Sequence, residues 1–331
     1  MKLAVRASLS GHKLGTEMGA EERLAAFMNI IDVLNTQPVA LRTADTKRQH
    51  YEVPTEFFVT ILGDHMKYSC CLWDDNALSF RIRRDLTRAE DAMLELTVIR
   101  SQVQDGHRVL ELGCGWGSLS LYIARRFPRS RITAVSHSST QKAYIESRAR
   151  ELGLGNLEVV TADMNDFTID AHFDRVISVE MFEHMRNYRE LMRRIADWLV
   201  PGGKLFVHIF TIEGIPYFFD ADKDEDWMAR TFFSGGIMPS TELLLFFADD
   251  MAIERAWKVN GRHYEKTLLS WLFFMDRQKK DIMRVFNKTY GADAIAWWNR
   301  WRLFFLSCTV SFGFRDGNVW NVTHYRFTKK R

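Results

Sequence analysis

Cysteine is scarce in this chain: four in 331 residues, at Cys70, Cys71, Cys114 and Cys308. Neither a disulfide framework nor a zinc site has such spacing, so a reducing compartment, the cytoplasm, is expected. Long apolar runs are missing too. None approaches the roughly 20 residues of a membrane span, and residues 1–14 are too polar for a secretory leader. Acids are absent before Glu17, a faint likeness to an organelle transit segment, although a frayed basic tail over residues 1–20 is the reading adopted. Excess charge is lacking: 45 Lys and Arg against 42 Asp and Glu leave +3. With no Lys/Arg stripe interleaved with aromatics, nothing points to nucleic acid. No internal repeat or low-complexity segment occurs, which excludes repeat architectures. Aromatics, by contrast, are plentiful. Ten Trp and twenty-four Phe exceed what a plain core needs and suit a pocket for a flat or greasy ligand.

The stretch Arg108-Val-Leu-Glu111-Leu-Gly113-Cys-Gly115-Trp-Gly117-Ser118 reads as a strand feeding a helix. Its glycines allow a sharp turn and leave bare main chain for a ligand at the helix N-terminus. The dinucleotide fingerprint would need a third glycine at 118, where serine stands, so it is missed by one place. A pyrophosphate does not want an acid at that strand end, whereas the ammonium of an aminoacyl sulfonium does. Glu111 therefore favours S-adenosylmethionine over NAD.

Before this stretch, Glu21–Leu34 and Thr87–Gln102 have helical periodicity, the second with Thr87 and Glu90 as a capping box. Residues 49–73 read as a helix and turns. From Arg108 onward strands and helices alternate: strands over Arg108–Leu112, Arg131–Ser136, Leu157–Ala162, Arg175–Val179 and Lys204–Phe210, and helices over Ser118–Arg126, Thr140–Leu152 and Tyr188–Leu199. That alternation predicts an α/β fold with a parallel sheet covered on both faces. Residues 212–237, aromatic around an acidic run at 220–226, suit a lid. A helix is expected over Met238–Asp250, a strand over Ile253–Val259, a long helix or helix pair over Leu268–Tyr290, and a last strand over Val319–Phe327. The expected organisation is an N-terminal helical cap over 1–105, a core over 106–211, and a lid with pocket helices and the last strands over 212–331.

Ligands of such sheets bind beyond the carboxyl ends of the strands. Glu180-Met-Phe-Glu183-His184 puts two carboxylates and an imidazole at one such end. A methyl acceptor that is an amine is mostly protonated at neutral pH and must lose a proton before it attacks. A carboxylate–imidazole group can bind the cation and remove that proton. A metal reading is poor, since no H-x-x-x-H spacing occurs.

The segments QHYEVPTEFFVTILGDHMKYSCCLW, VLELGCGWGSLSLYIA, SVEMFEHM, WMARTFFSGGIMPS and VNGRHYEKT resemble the cyclopropane fatty acid synthase superfamily of methyltransferases, and within it the plant coclaurine N-methyltransferase branch. The resemblance implies a class I methyltransferase fold: a Rossmann-like, mostly parallel seven-stranded sheet with an N-terminal helical cap and a lid insertion after strand five. It implies S-adenosylmethionine as cofactor, S-adenosylhomocysteine as product, and no metal. By family pattern Tyr68 and Ser69 close over the methionine part, Gly113, Gly115 and Gly117 cradle it, Ser136, His137 and Gln141 face the ribose, and Asp163 and Met164 the adenine. Glu180, Glu183 and His184 would orient and deprotonate an amine, and Trp301, Phe304 and Phe305 would wall its pocket.

Lipid-modifying members need a bound bicarbonate, held at positions matching Cys70, Glu183, His208 and Tyr264. All four residue types are present, so methylation or cyclopropanation of unsaturated acyl chains is the alternative. Glu180 stands where those enzymes carry Gly, and a second acid there suits an ammonium substrate better than a hydrocarbon cation. A cofactor-binding regulatory subunit would have no use for the acids. The partner expected is thus a small amine, without nucleic acid or stable membrane insertion, and with a homodimer left open.

Overall fold

A computed structural model describes residues 18–41, 53–74, 82–219 and 227–330. Helix α1 (Ala20–Thr36), α2 (Thr55–Ile61) and α3 (Ile82–Ser101) precede an alternating core of β1 (Arg108–Leu112), α4 (Ser118–Arg126), β2 (Arg131–Ser136), α5 (Ser139–Glu151), β3 (Leu157–Thr161), β4 (Phe173–Val179), α6 (Tyr188–Trp198) and β5 (Leu199–Ile212). A hairpin of β6 (Tyr217–Phe218) and β7 (Ile237–Met238) flanks α7 (Trp227–Thr231). Then come β8 (Met251–Val259), α8 (Gly261–Arg277), α9 (Lys279–Tyr290), α10 (Ala294–Phe312) and β9 (Trp320–Lys329). The acidic run at 220–226 and most of the expected basic tail lie outside the described residues.

The seven strands are ordered β3-β2-β1-β4-β5-β9-β8. β1 to β5 pair in parallel, and β9 runs antiparallel between β5 and β8. Chain order reverses between β1 and β4, the switch point at which open α/β sheets leave a crevice for ligands. Alternation along the strands assigns side chains to two cores. Leu110, Leu112, Val176, Leu205 and Val207 meet α6 and α1 on one face. Val109, Ile177 and Phe206 meet α3 and α4 on the other. Helix α6 shows why it docks: Tyr188, Leu191, Met192, Ile195 and Ala196 form one buried stripe, and Asn187 caps it by accepting the Glu190 N–H at 3.0 Å. A third cluster joins α2 to α8, α9 and α10 above the carboxyl ends of the strands. Among the described residues no helix is long and apolar enough to cross a membrane.

Three local expectations are corrected. Thr87 lies inside α3 rather than at its cap, and Glu90 instead accepts the backbone N–H groups of Gly63 at 3.0 Å and His65 at 2.9 Å. Met238–Asp250 forms no α-helix: Met238 ends β7, and a 3-10 turn spans Leu243–Phe247. The Pro201-Gly202-Gly203 segment is drawn into a longer β5, in which Leu199 pairs with Phe173 and regular pairing resumes only at Lys204 with Arg175.

Candidate active site

The bend after β1 is held by the N–H groups of Gly113 and Cys114, which both donate to the Val135 carbonyl at 3.0 and 2.9 Å. Its glycines do different work. At Gly117 (φ +77°) a Cβ would lie 2.6 Å from Ile145 Cγ1, so that glycine lets α4 and α5 pack. At Gly115 (φ +52°) a Cβ would meet nothing within 4 Å, which leaves bare backbone facing a cavity. Glu111 is buried beneath the bend and accepts a hydrogen bond from Ser120. Burial pushes its carboxyl up to about 7. Lys67, also buried, lines the same cavity and donates to Ser69 Oγ. An acid and an ammonium at one end of a cavity complement the two charges of a free amino acid.

From the bend the cavity opens two ways, with Gly113, Gly115, Gln141, Met181 and His184 common to both branches. One branch is lined by Ser136, His137, Asp163 and Met164. There Ser136 Oγ donates to Gln141 Oε1 at 2.8 Å, and His137 Nε2 stands 3.6 Å from Asp163 Oδ2. This polar branch fits a ribose and a flat base. The other branch is walled by Phe210, Phe233, Leu268, Trp271, Phe304 and Phe312 and floored by Glu180 and Glu183.

Glu180 follows β4 with φ +48°, a conformation costly for a residue with a Cβ. Three donors from distant segments over-determine it. Its Oε1 accepts the Cys70 N–H at 2.8 Å and lies 3.1 Å from His208 Nε2, and its Oε2 accepts the Tyr264 hydroxyl at 2.5 Å. Glu183 sits in the following 3-10 turn, fully buried; among the described residues no side chain is hydrogen-bonded to either carboxylate oxygen, and the backbone N–H groups of Glu183 and Phe210 act to favour its ionised form. Burial first, and the neighbouring Glu180 second, raise its carboxyl well above the usual range. His184 stacks on Phe233 with ring centres 5.6 Å apart.

The profile of the family described as mycolic acid cyclopropane synthetase matches residues 40–322. The chain belongs to that family. Within reach of this mycolic acid cyclopropane synthetase family member are proteins of two chemistries. (S)-coclaurine N-methyltransferase of Thalictrum flavum subsp. glaucum is 36% identical over 321 residues, 96% of this chain and 87% of that one. Cyclopropane-fatty-acyl-phospholipid synthase of Escherichia coli strain K12 is 27% identical over 289 residues, 84% and 67% of the two chains. A crystal structure of coclaurine N-methyltransferase bound to N-methylheliamine and SAH superposes with a TM-score of 0.92 at 34% identity, covering 99% of this chain and 94% of that one. The cyclopropane synthase MmaA2 from Mycobacterium tuberculosis shares the fold at a TM-score of 0.73 and 21% identity, covering 88% and 99%. The fold is that of a class I methyltransferase.

Most residues singled out in the sequence of this family member converge on the cavity: Tyr68, Ser69, Glu111, Gly113, Gly115, Gln141, Glu180, Glu183, His184, Tyr264 and Phe304 line one branch, and Ser136, His137, Asp163 and Met164 the other. Five do not line either branch. Gly117 is a packing position, and Trp301 and Phe305 pack behind Phe304 with ring centres 5.7 and 5.6 Å away. Cys70 and His208 are fully buried outside both branches and touch Glu180 through the Cys70 N–H and the His208 ring. Sequence reasoning passed over Lys67 and Trp271, and also Phe210, Phe233 and Phe312. Lys67 had one signal, its place in the Lys67-Tyr68-Ser69 segment; the aromatics are drawn from four segments that meet only in the fold.

Proposed function

We propose that this chain methylates the nitrogen of a small, alkaloid-like amine, with Glu180 and His184 orienting the amine and Glu183 taking its proton. The observation that carries the reading is the buried Glu183 carboxylate, to which no side chain among the described residues is hydrogen-bonded. An isolated charge there is costly, so the free site favours a protonated acid, and an ammonium group is the natural partner for the ionised form. Relatives named for N-methylation of coclaurine, pavine and tetrahydroprotoberberine support a cyclic amine as the substrate class.

The chain is a methyltransferase that uses S-adenosylmethionine, which supplies an electrophilic methyl on a sulfonium and leaves as S-adenosylhomocysteine. Gly115 offers its bare backbone to the methionine part, Glu111 receives the α-ammonium, and Lys67 with Ser69 receives the α-carboxylate. Ser136, His137, Gln141, Asp163 and Met164 take the ribose and adenine. At the other branch Glu180, held in place by the Cys70 N–H, His208 and Tyr264, faces the amine; burial raises its carboxyl while Lys67 and the Cys70 and Tyr264 donors pull it back. As the ammonium binds, Glu183 releases its own proton to solvent; the ionised acid then accepts one proton from the ammonium, which frees a lone pair on nitrogen. As the N–C bond forms, the C–S bond breaks and its electron pair stays on sulfur. The positive charge passes from sulfur to nitrogen, so the acids still face a cation as the product leaves. The aromatic walls exclude water and hold a cation by their ring faces.

A lipid acceptor is less well served. Three of the groups expected to hold bicarbonate, the Cys70 segment, His208 and Tyr264, spend their hydrogen bonds on Glu180.

Glu183→Gln tests the assignment on a cyclic secondary amine. A loss of about 10²- to 10⁴-fold in kcat/KM near pH 7 is expected, with S-adenosylhomocysteine affinity unchanged and partial recovery as rising pH supplies free amine. An unchanged kcat/KM, or an equal loss of cofactor affinity, would overturn it.

A further inference from the structure

Behind Glu180 runs a file of three residues from three elements. Arg100 is near the end of α3, and His208 of β5 is the register partner of His324 in β9. Arg100 Nη1 lies 2.8 Å from His324 Nδ1, His324 Nε2 lies 2.9 Å from His208 Nδ1, and His208 Nε2 lies 3.1 Å from Glu180 Oε1. Both imidazoles are fully buried. The guanidinium is partly buried over the Trp257 ring, 4.9 Å from its centre.

A guanidinium only donates. His324 must then accept at Nδ1 and carry its proton on Nε2. That N–H obliges His208 to accept at Nδ1 and to donate from Nε2 to Glu180. Burial holds both rings neutral, so each has a single proton and the order of protons along the file is fixed. A second proton on His208 would set two N–H groups head to head.

We propose that Arg100 and His324 are positioning residues that lock His208 as a hydrogen-bond donor to Glu180, fixing Oε1 as an acceptor and closing His208 to the proton collected from the substrate. The amine's proton therefore stays with the acid pair and leaves on the substrate side. The other charged or titratable groups acting on Glu180 are Lys67, Cys70, Cys71, Tyr264, Cys308 and Glu183, and Lys67 also acts on both histidines. Among the described residues no second side chain is hydrogen-bonded to His324 Nδ1.

The catalytic consequence rests on the role proposed above for Glu180; the lock itself does not. Long-range proton–nitrogen correlation spectra of the full chain, labelled in histidine, read each tautomer without substrate. The wild type is expected to show Nε2–H on both rings. Arg100→Met is expected to let His324 populate the Nδ1–H form. It also moves the acid limb of the kcat/KM profile up by about one pH unit, because a bare His208 Nε2 facing Glu180 favours the protonated acid. Arg100→Lys, which still donates and keeps the charge, should restore both readouts. Arg100→Met with wild-type tautomers would overturn the lock, and altered tautomers with an unmoved pH profile would overturn its action on Glu180. If the wild-type tautomers are as stated and Glu180→Gln keeps full activity, the lock stands and the proposed role of Glu180 fails.

Discussion

Glu180 and Glu183 stand three residues apart on the floor of one cavity and are treated in opposite ways. Three donors meet the carboxylate of Glu180, whereas among the described residues no side chain donates to that of Glu183. Two like charges in a dry site cannot both ionise cheaply. Burial raises both carboxyls, but Lys67 and the Cys70 and Tyr264 donors pull Glu180 back, so Glu183, raised further, is the one that holds its proton until an ammonium binds beside it. The pair titrates as a unit rather than as two independent groups.

Removing the Glu180 side chain should leave a cradle for a small oxyanion. Glycine takes φ +48° without the penalty that a Cβ brings, and the Cys70 N–H, His208 and Tyr264 remain as donors. Glu180→Gly is expected to lose about 10²-fold or more in methylation of an amine and to recover part of it when formate or acetate is added. Glu180→Ala, strained at the same φ, should be less stable than Glu180→Gly by about 1 kcal/mol in denaturant unfolding. A folded glycine variant that no carboxylate rescues would contradict the cradle.

The two outer roles of the glycine bend separate cleanly by substitution. Gly117→Ala drives a Cβ to 2.6 Å from Ile145 Cγ1 at φ +77°, so a loss of stability of about 2 kcal/mol or more is expected. Gly115→Ala meets no protein atom within 4 Å. It should cost about 1 kcal/mol in unfolding and far more in calorimetric affinity for S-adenosylhomocysteine. Equal effects at both positions would mean that Gly115 does not face the ligand.

Much of this was legible in the primary structure, and the boundary of legibility is physical. Strand β1, helix α4 and strand β2 follow their expected limits because short apolar runs, a glycine turn and helical spacing are local signals. The acids just after β4 were readable as a cluster at a strand end. Their unequal environments were not, because Cys70, His208 and Tyr264 reach Glu180 from 110, 28 and 84 residues away. Likewise His324 meets His208 only through the antiparallel register of β5 and β9. Thr87 and Glu90 have capping-box spacing, yet Glu90 is claimed by the Gly63–His65 turn, a tertiary demand that overrides the local one.

Buried Glu111 gives the cofactor-free protein a pH signature. Its carboxyl is raised from 4.5 to about 7 in the folded chain, so the folded state binds more protons than the unfolded one in that window. Its contribution is intact below 4.5 and is lost as pH rises through about 7. Glu111→Gln has no such loss. Relative to wild type, the variant should gain up to about 3 kcal/mol between these limits, measured by urea unfolding at a series of pH values. A difference independent of pH would contradict the burial of an ionisable group there.

The central claim is that the methyl group goes to nitrogen. The measurement that tests it most directly is to supply S-adenosylmethionine labelled in its methyl to the full chain, together with a panel of cyclic secondary amines and with vesicles of unsaturated phospholipid, and to follow the label. The account predicts label on the amine nitrogen and none in the acyl chains; label in the acyl chains with none on any amine would contradict it.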